Sequence, residues 1–452
     1  MKELVLALAV CLPGSASVWA DGTNPPPVLT LTNTQMSVRT DDTNAPPVLT
    51  LTNAQMIALQ NHPQIAAANY RALAAKQALK QTQSAFFPSV NLYATAVGAG
   101  SEDARIMAGA LNNPSIFDRA AGGLSVSQLV TDFGRTANLS ASSKFQAQAE
   151  NQNAVTTREQ VLLQVDISYF HALATLALEH VAQQVLDTRQ LVLDQVNAKA
   201  TNKLRSQLDV SFAQVEVQQA RLLLQKSQND MDAAMATLST ALGYREFHEF
   251  QLVEQSLPAG QSTNDVSGLI QTALSQRPEL LSLRYSRDAA KRLARAERDS
   301  RLPTVEVVGT AGASPVHDVH LPDNYAAAGI QLSEPLFAGG FYTARQREAE
   351  LRAQAEDDML RAAEDNVIRD VRIAWLGVNN ALEQLRTTEE LMRNATEAYV
   401  LAQARYDNGI SSIVELSQAQ LNLTSAQIEN AGARYAVLIQ QANLDYQTGM
   451  IH

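Results

Sequence analysis

The sequence predicts an exported, mainly helical chain whose few strands can close into a barrel only together with strands from other copies. Three observations carry that expectation. An export signal is followed by no evident membrane-spanning helix, one unit of helices and strands is written twice, and several helices are too long for a compact globule.

The 452 residues are 46% hydrophobic, enough for a substantial core, yet only 5% aromatic, with Gln, Ala and Leu prominent. A formal charge of -11 argues against a nucleic-acid backbone as partner. Residues 1–20, MKELVLALAVCLPGSASVWA, read as a signal peptide. They offer a lysine, an apolar core from Leu4 to Leu12, and Val18 and Ala20 ahead of an expected cut after Ala20. Cys11, the sole cysteine, lies inside that leader, with bulky Val10 before it where lipid attachment asks for a small residue. The mature chain is then expected to lack disulfides, thiol nucleophiles and cysteine metal sites. Beyond the leader no stretch is expected to reach the ~20 apolar residues that cross a bilayer, so any span requires strands closed on themselves.

Residues 21–56 form a proline-containing extension in which TNPPPVLTLTNTQM (23–36) returns as TNAPPVLTLTNAQM (43–56). Its prolines suit an extended tether, and a local copying event without function accounts for it. The longer repeat divides the remainder into a first unit at 57–242, a connector at 243–266 and a second unit at 267–449. His62-Pro63 matches Arg277-Pro278 and Phe87-Pro88 matches Leu302-Pro303 at one offset. Gly134 matches Gly340, and SQLDVSFAQ (206–214) matches SIVELSQAQ (412–420), at a slightly smaller one, as a shorter loop in the second unit would produce.

Each unit reads as helix, proline stop, strand, loop, strand, long helix, turn and long helix. The strands are expected at 89–98, 123–129, 304–310 and 325–333. Leu124 and Val126 alternate with Ser125 and Ser127, as Ile330 and Leu332 do with Gln331 and Ser333. A barrel wall and a sheet lying on a soluble core both have that pattern.

From Arg135 to about Asn197 there is neither proline nor glycine, and Leu162, Val165, Tyr169 and Leu173 recur at helical spacing. After the turn, Leu208, Phe212, Val215, Leu222, Met231, Met235, Leu238 and Leu242 are expected to carry a return helix. In the second unit Leu360, Val367, Val371, Ala374 and Val378 repeat the spacing. A helix of roughly 60 residues is about 90 Å long and must lie beside others in coiled-coil contact. Four strands cannot enclose a useful pore, so several chains must contribute; three would supply twelve strands.

The order, spacing and duplication of these features resemble the outer-membrane efflux protein family, the TolC-like channels. SEPLFAGG (333–340) and ARYDNGISSIVELSQAQ (404–420) belong to that resemblance. It implies a homotrimer with a twelve-stranded β-barrel in outer-membrane lipid, continuing into a long α-helical periplasmic barrel. The implied partners are a periplasmic adaptor and an inner-membrane pump or ABC exporter; the implied role is passive export of small toxic compounds or drugs. The alternatives are the outer-membrane channel of a type I protein secretion system, or an exported coiled-coil structural protein.

The resemblance also implies acidic rings at the periplasmic end. Glu415 corresponds to one ring position, while Gln418 stands where a second acid is expected, leaving one charge per chain there; Asp209 is the counterpart in the first unit. Symmetry would crowd like carboxylates, so protonation or a cation would relieve repulsion, although a solvated coiled-coil surface explains Glu415 equally well. The turns at 200–205 and 407–411, with Asn202, Lys203, Asn408 and Gly409, are candidate adaptor contacts or ordinary helix reversals. His317 and His320, flanking Asp318, fall short of a four-ligand zinc site. No phosphate loop, zincin helix or nucleophile elbow is present, and Asp357-Asp358 and Glu389-Glu390 diverge around their helices, so no cofactor, metal or catalytic role is expected.

Overall fold

The structure, a computed structural model, describes residues 46–97, 104–105, 115–116, 119–203, 206–255, 265–317 and 322–451. The predicted signal peptide and most of the tandem extension lie outside them, as do Asp318 and His320. All the elements belong to the compact unit Val48–His452.

In chain order they are β1 (Val48–Leu49), α1 (Leu51–Asn61), α2 (Pro63–Gln83), β2 (Ser89–Val97), β3 (Ala104–Arg105), β4 (Ser115–Ile116), β5 (Arg119–Thr131), α3 (Arg135–Thr201) and α4 (Gln207–Ala241). There follow β6 (Gln251–Leu252), α5 (Val266–Gln276), α6 (Pro278–Asp299), β7 (Thr304–Val316), β8 (Asn324–Ser333), α7 (Phe341–Asp407) and α8 (Ile413–Thr448). The same order therefore runs twice. Pro63 and Pro278 each occupy a first helical turn, where a missing N–H costs nothing. Pro88 and Pro303 each stand immediately before a strand.

Both α3 and α7 have 67 residues, about 100 Å at the α-helical rise. Each is preceded by a glycine in the left-handed region, Gly134 at φ 106° and Gly340 at φ 85°. That conformation turns the chain from strand into helix and is open to glycine at no steric cost.

The strands β2, β5, β7 and β8 form one antiparallel sheet in that order. β2 and β7 begin where the repeat placed them and β8 one residue earlier, whereas β5 begins four residues earlier, at Arg119; β5 and β7 run to 13 residues each. Register sorts the side chains by face. Val90 pairs with Val126 and Leu92 with Leu124; Val307 pairs with Ile330 and Val305 with Leu332. Gln128 pairs with Val307 across β5 and β7, so these residues share one predominantly apolar face. Asn91 with Ser125, Ser89 with Ser127 and Glu306 with Gln331 mark the other, polar face. The apolar face is uncovered, with Leu92 77%, Ile330 76% and Leu332 65% exposed. Within one chain β2 and β8 each have a single neighbour.

Below the sheet α2 packs on α3, α3 on α6 and α6 on α7, in the order of the strands they adjoin. Further down, α4 packs on α3, α3 on α8 and α8 on α7. The main core lies midway, where α1, α3, α4 and α8 bury Ala58, Val165, Leu238 and Leu438 around Tyr169. The Tyr169 hydroxyl donates toward Leu49 O at 2.9 Å or Val253 O at 2.8 Å, beside the parallel pair of β1 and β6.

One expectation is corrected. One 18-residue stretch of α3 is apolar enough to cross a membrane by length and composition, contrary to the sequence reading. Half of it is buried inside the protein, and core packing accounts for its apolarity. In the first half of α4, Leu208, Phe212, Val215 and Leu222 are exposed, while smaller Val210, Ala213, Val217 and Ala220 face the chain's own helices. Small side chains permit the close approach of α4 to α3, and the large ones point outward.

Gly243 (φ 85°) sits against the α1–α2 junction, as Gly449 (φ 74°) sits against Gln276 and Arg277 at the α5–α6 junction. A Cβ at Gly243 would lie 2.9 Å from Asn61 C and O. Gly243→Ala is therefore expected to cost more than the ~1 kcal/mol of the left-handed conformation alone. Chemical denaturation of the variant measures this.

Asp166 on α3 is 7% exposed and accepts a hydrogen bond from Gln55 Nε2 at 2.7 Å. It borders a cavity of about 420 Å³ shared with Asp445 and Gln441 of α8. Burial, with Asp445 nearby, pushes Asp166 up to about 6 against the pull of Gln55, and burial also raises Asp445. The folded chain thus holds protons that the unfolded chain releases, so stability falls as pH rises from about 4 through about 6. Asp166→Asn should raise the melting temperature at pH 7.5 and flatten its dependence on pH between 4 and 7, on the order of 2 kcal/mol at the upper end.

Candidate functional site

The lower ends of the two hairpins, α3–α4 and α7–α8, bring together the residues that the sequence singled out. Each reversal has the same chemistry. Asn202 and Asn408 cap α3 and α7, and each is followed by a left-handed residue, Lys203 at φ 57° and Gly409 at φ 72°. Each return helix then starts on a serine. Ser206 Oγ accepts from Asp209 N at 3.2 Å while Asp209 Oδ2 accepts from Ser206 N at 3.3 Å, a reciprocal capping box. Ser412 Oγ accepts from Glu415 N at 3.4 Å.

Asp209 and Glu415 hence occupy the same third position of α4 and α8, where a carboxylate also favours the positive end of the helix dipole. The Ser-x-x-Asp and Ser-x-x-Glu spacing was readable in the sequence as a helix start. Glu415 Oε1 also accepts from Arg405 Nε at 2.9 Å, with both side chains about half exposed. Gln418, exposed, donates to Asn422 Oδ1 at 3.0 Å. Glu415, Gln418, Asn422, Ser425 and Glu429 recur three and four residues apart, so α8 presents one continuous polar stripe to water. The opposite stripe, with Ile413, Leu416 and Ala426, is buried.

The two hairpins are bound to each other here. Val192, Val196 and Val210 of the first pack with Ala402, Tyr406, Ile413 and Leu416 of the second. Lys199 Nζ lies 2.9 Å from Asp407 Oδ1 and over the Tyr406 ring at 5.6 Å. Deeper in, Arg189 of α3 is 5% exposed, pairs with Glu216 of α4 at 2.9 Å and donates to Gln420 of α8. Burial pulls the Arg189 guanidinium below its ordinary value and Glu216 opposes that shift. A cavity of about 380 Å³ lies beside it, lined by Thr188, Arg189, Tyr399, Gln420 and Gln427 among others. This staple escaped the sequence reading, because a single arginine in an amphipathic helix has no motif.

Elsewhere, His317 Nε2 contacts Asp323 Oδ1 at 2.7 Å, and among the described residues no group of three His, Cys, Asp or Glu is placed to hold a metal ion. The sheet has a bare apolar face, while α8 exposes a polar stripe beyond the hairpin reversal. The pattern of the family described as outer membrane efflux protein matches residues 56–244 and again 269–450. The chain belongs to the outer membrane efflux protein family.

Among its relatives, the outer membrane protein TolC of Vibrio cholerae serotype O1 is 25% identical over 403 residues, covering 87% of this chain and 89% of that protein. The toluene efflux pump outer membrane protein TtgC of Pseudomonas putida is 24% identical over 387 residues, 84% of this chain and 78% of its own. The crystal structure of CusC superposes with a TM-score of 0.76 at 19% identity, over 91% of this chain and 95% of that one. This outer membrane efflux protein is a channel of the kind used in efflux and secretion, set in the outer membrane.

Removing one member of the buried pair leaves a charge without its partner. Glu216→Gln is expected to lower stability by about 3–5 kcal/mol, whereas Arg189→Met combined with Glu216→Leu should recover most of the loss. Thermal melts of the purified proteins distinguish the two outcomes.

Proposed function

We propose that three chains assemble into the passive outer-membrane exit duct of a tripartite efflux system. A periplasmic adaptor and an energised inner-membrane pump would deliver small toxic compounds or drugs to it. The observation that carries this reading is the sheet with one bare apolar face, one polar face and two open edges. Lipid would cover the first, water in a pore the second, and neighbouring copies the edges. Twelve strands close such a wall, and the helices beneath extend it as a tunnel across the periplasm. The two units, 57–242 and 267–449 around a connector at 243–266, then read as diverged copies giving six similar sectors around the pore. Residues 1–20 would be removed on export. The extent of the likeness to the toluene efflux relative favours efflux over polypeptide secretion.

In this reading the polar stripe of α8 faces the lumen, and symmetry gathers Glu415 and Gln418 of three chains at its narrow end. Asp209, on the other hairpin, contributes less directly. Asn202, Lys203, Asn408 and Gly409 lie at the exposed reversals and would meet the adaptor.

The test is conductance of the purified, reconstituted protein in a planar bilayer, recorded with Glu415→Gln alongside. Stepwise conductance is expected, with the variant more conducting and less sensitive to acid and divalent cations, because fewer carboxylates are crowded at the constriction. A protein without conductance rejects the duct, whereas a conducting protein unchanged by the substitution removes Glu415 from the gate.

A further inference from the structure

Tyr93 and Tyr325 are the two aromatic residues of β2, β5, β7 and β8, and both lie on the polar face of the sheet. Alternation places them there, since Tyr93 is two positions from Asn91 and Tyr325 is six from Gln331. We infer that Tyr325 and Tyr93 form a stacking seat for planar aromatic molecules on the wall of the pore. The inference rests on the duct reading and names a class of cargo that the wall holds in passing.

The two tyrosines belong to one row of the sheet. Tyr93 pairs with Gly123, Gly123 with Gly312, and Gly312 with Tyr325, so the row across β2, β5, β7 and β8 reads Tyr, Gly, Gly, Tyr. With neighbouring strands about 4.8 Å apart, the tyrosine backbones stand roughly 14 Å from each other. The two positions between them carry no side chain.

Tyr325 lies down in that gap. A Cβ at Gly312 would be 2.5 Å from the Tyr325 hydroxyl oxygen and 2.6 Å from its Cζ, and a Cβ at Gly123 would run into the same hydroxyl. The side chain therefore starts from β8, crosses Gly312 on β7 and ends over Gly123 on β5. A larger residue at either glycine would lift it off the sheet. A ring lying along a sheet turns one face to the backbone and the other to the water, and Tyr325 is 41% exposed. Its hydroxyl end reaches the strand next to Tyr93, which is 60% exposed.

The surroundings suit a flat guest. The next row on the same face, Asn91, Ser125, Thr310 and Ala327, is small and polar. It leaves the space over Tyr325 open and offers hydrogen-bonding groups to the polar edge of a ring lying there. Stacking of a flat ring on one aromatic side chain changes binding by roughly 5- to 150-fold. Binding of that strength retains a molecule briefly and still releases it, as a conduit requires.

A ring laid over glycines also stabilises a sheet, and leucine at 325 would cover them as well. Leucine supplies no stacking face, which separates the two roles.

The test records current through the reconstituted protein in a planar bilayer with proflavine, a planar aromatic cation, or tetraethylammonium, a saturated cation of the same charge. Proflavine is expected to interrupt the current in resolvable blocks. Tyr325→Leu should shorten the mean block on the order of tenfold, Tyr325→Phe should preserve it, and Tyr93→Leu, which uncovers no glycine, should shorten it by a smaller factor. Tetraethylammonium should act alike on all four proteins. Conducting wild-type protein that proflavine does not block overturns the seat, as do blocks of unchanged length in Tyr325→Leu, or an equal loss for tetraethylammonium. Should Tyr325→Leu fail to assemble, Tyr93→Leu decides, and unchanged blocks there overturn the seat. Wild-type protein without conductance rejects the duct itself.

Discussion

A strand edge in lipid has no water to bond with, and each unsatisfied N–H or C=O there costs several kcal/mol. In this chain that constraint falls on β2 and β8, the outer strands of a sheet whose apolar face is bare. The rest of the architecture answers to it. Four strands are too few to curl back on themselves around a pore, and in the proposed assembly other copies satisfy the edges. Once they are joined, the helices that feed the edge strands are drawn together below the membrane. The same reasoning links the sheet to helices that contact no lipid.

The helical part is stiffened in two places by different means. Midway down, a dense core surrounds Tyr169, and glycines at 243 and 449 let the turns after α4 and α8 close against the α1–α2 and α5–α6 junctions. Toward the lower end, Val and Ala contacts are thinner, and the Arg189 staple joins three helices from two hairpins. A buried ion pair contributes little net stability compared with apolar packing of equal volume, but it penalises any arrangement that separates its partners. Such a contact favours one alignment of the hairpins rather than merely holding them together.

Much of the fold was legible because it is punctuated by residues with few conformational choices. Pro63, Pro88, Pro278 and Pro303 mark helix starts and strand starts, and Gly134 and Gly340 mark the entries to the two 67-residue helices. The candidate site was legible only in part. Glu415 and Asp209 stood out through the family resemblance and the internal repeat, while their serine-capped position at a helix start was equally visible in the spacing. Periodicity located α4 but did not tell which of its rows faces outward, since a helix with apolar side chains on two faces has no unique buried stripe. Val210 and Ala213 lie in the closer contact because they are small, which is a property of the pair of helices rather than of α4 alone. Arg189 was invisible for the same reason: its partners are 27 and 231 positions away in sequence.

Hydrogen exchange along the sheet of the assembled protein in detergent or lipid tests the central constraint most directly. The account predicts that amides of the edge strands, such as Asn91 in β2 and Ala328 in β8, exchange as slowly as those of the central strands β5 and β7. Rapid exchange confined to β2 and β8 in the assembled protein would contradict closure of the sheet across chains.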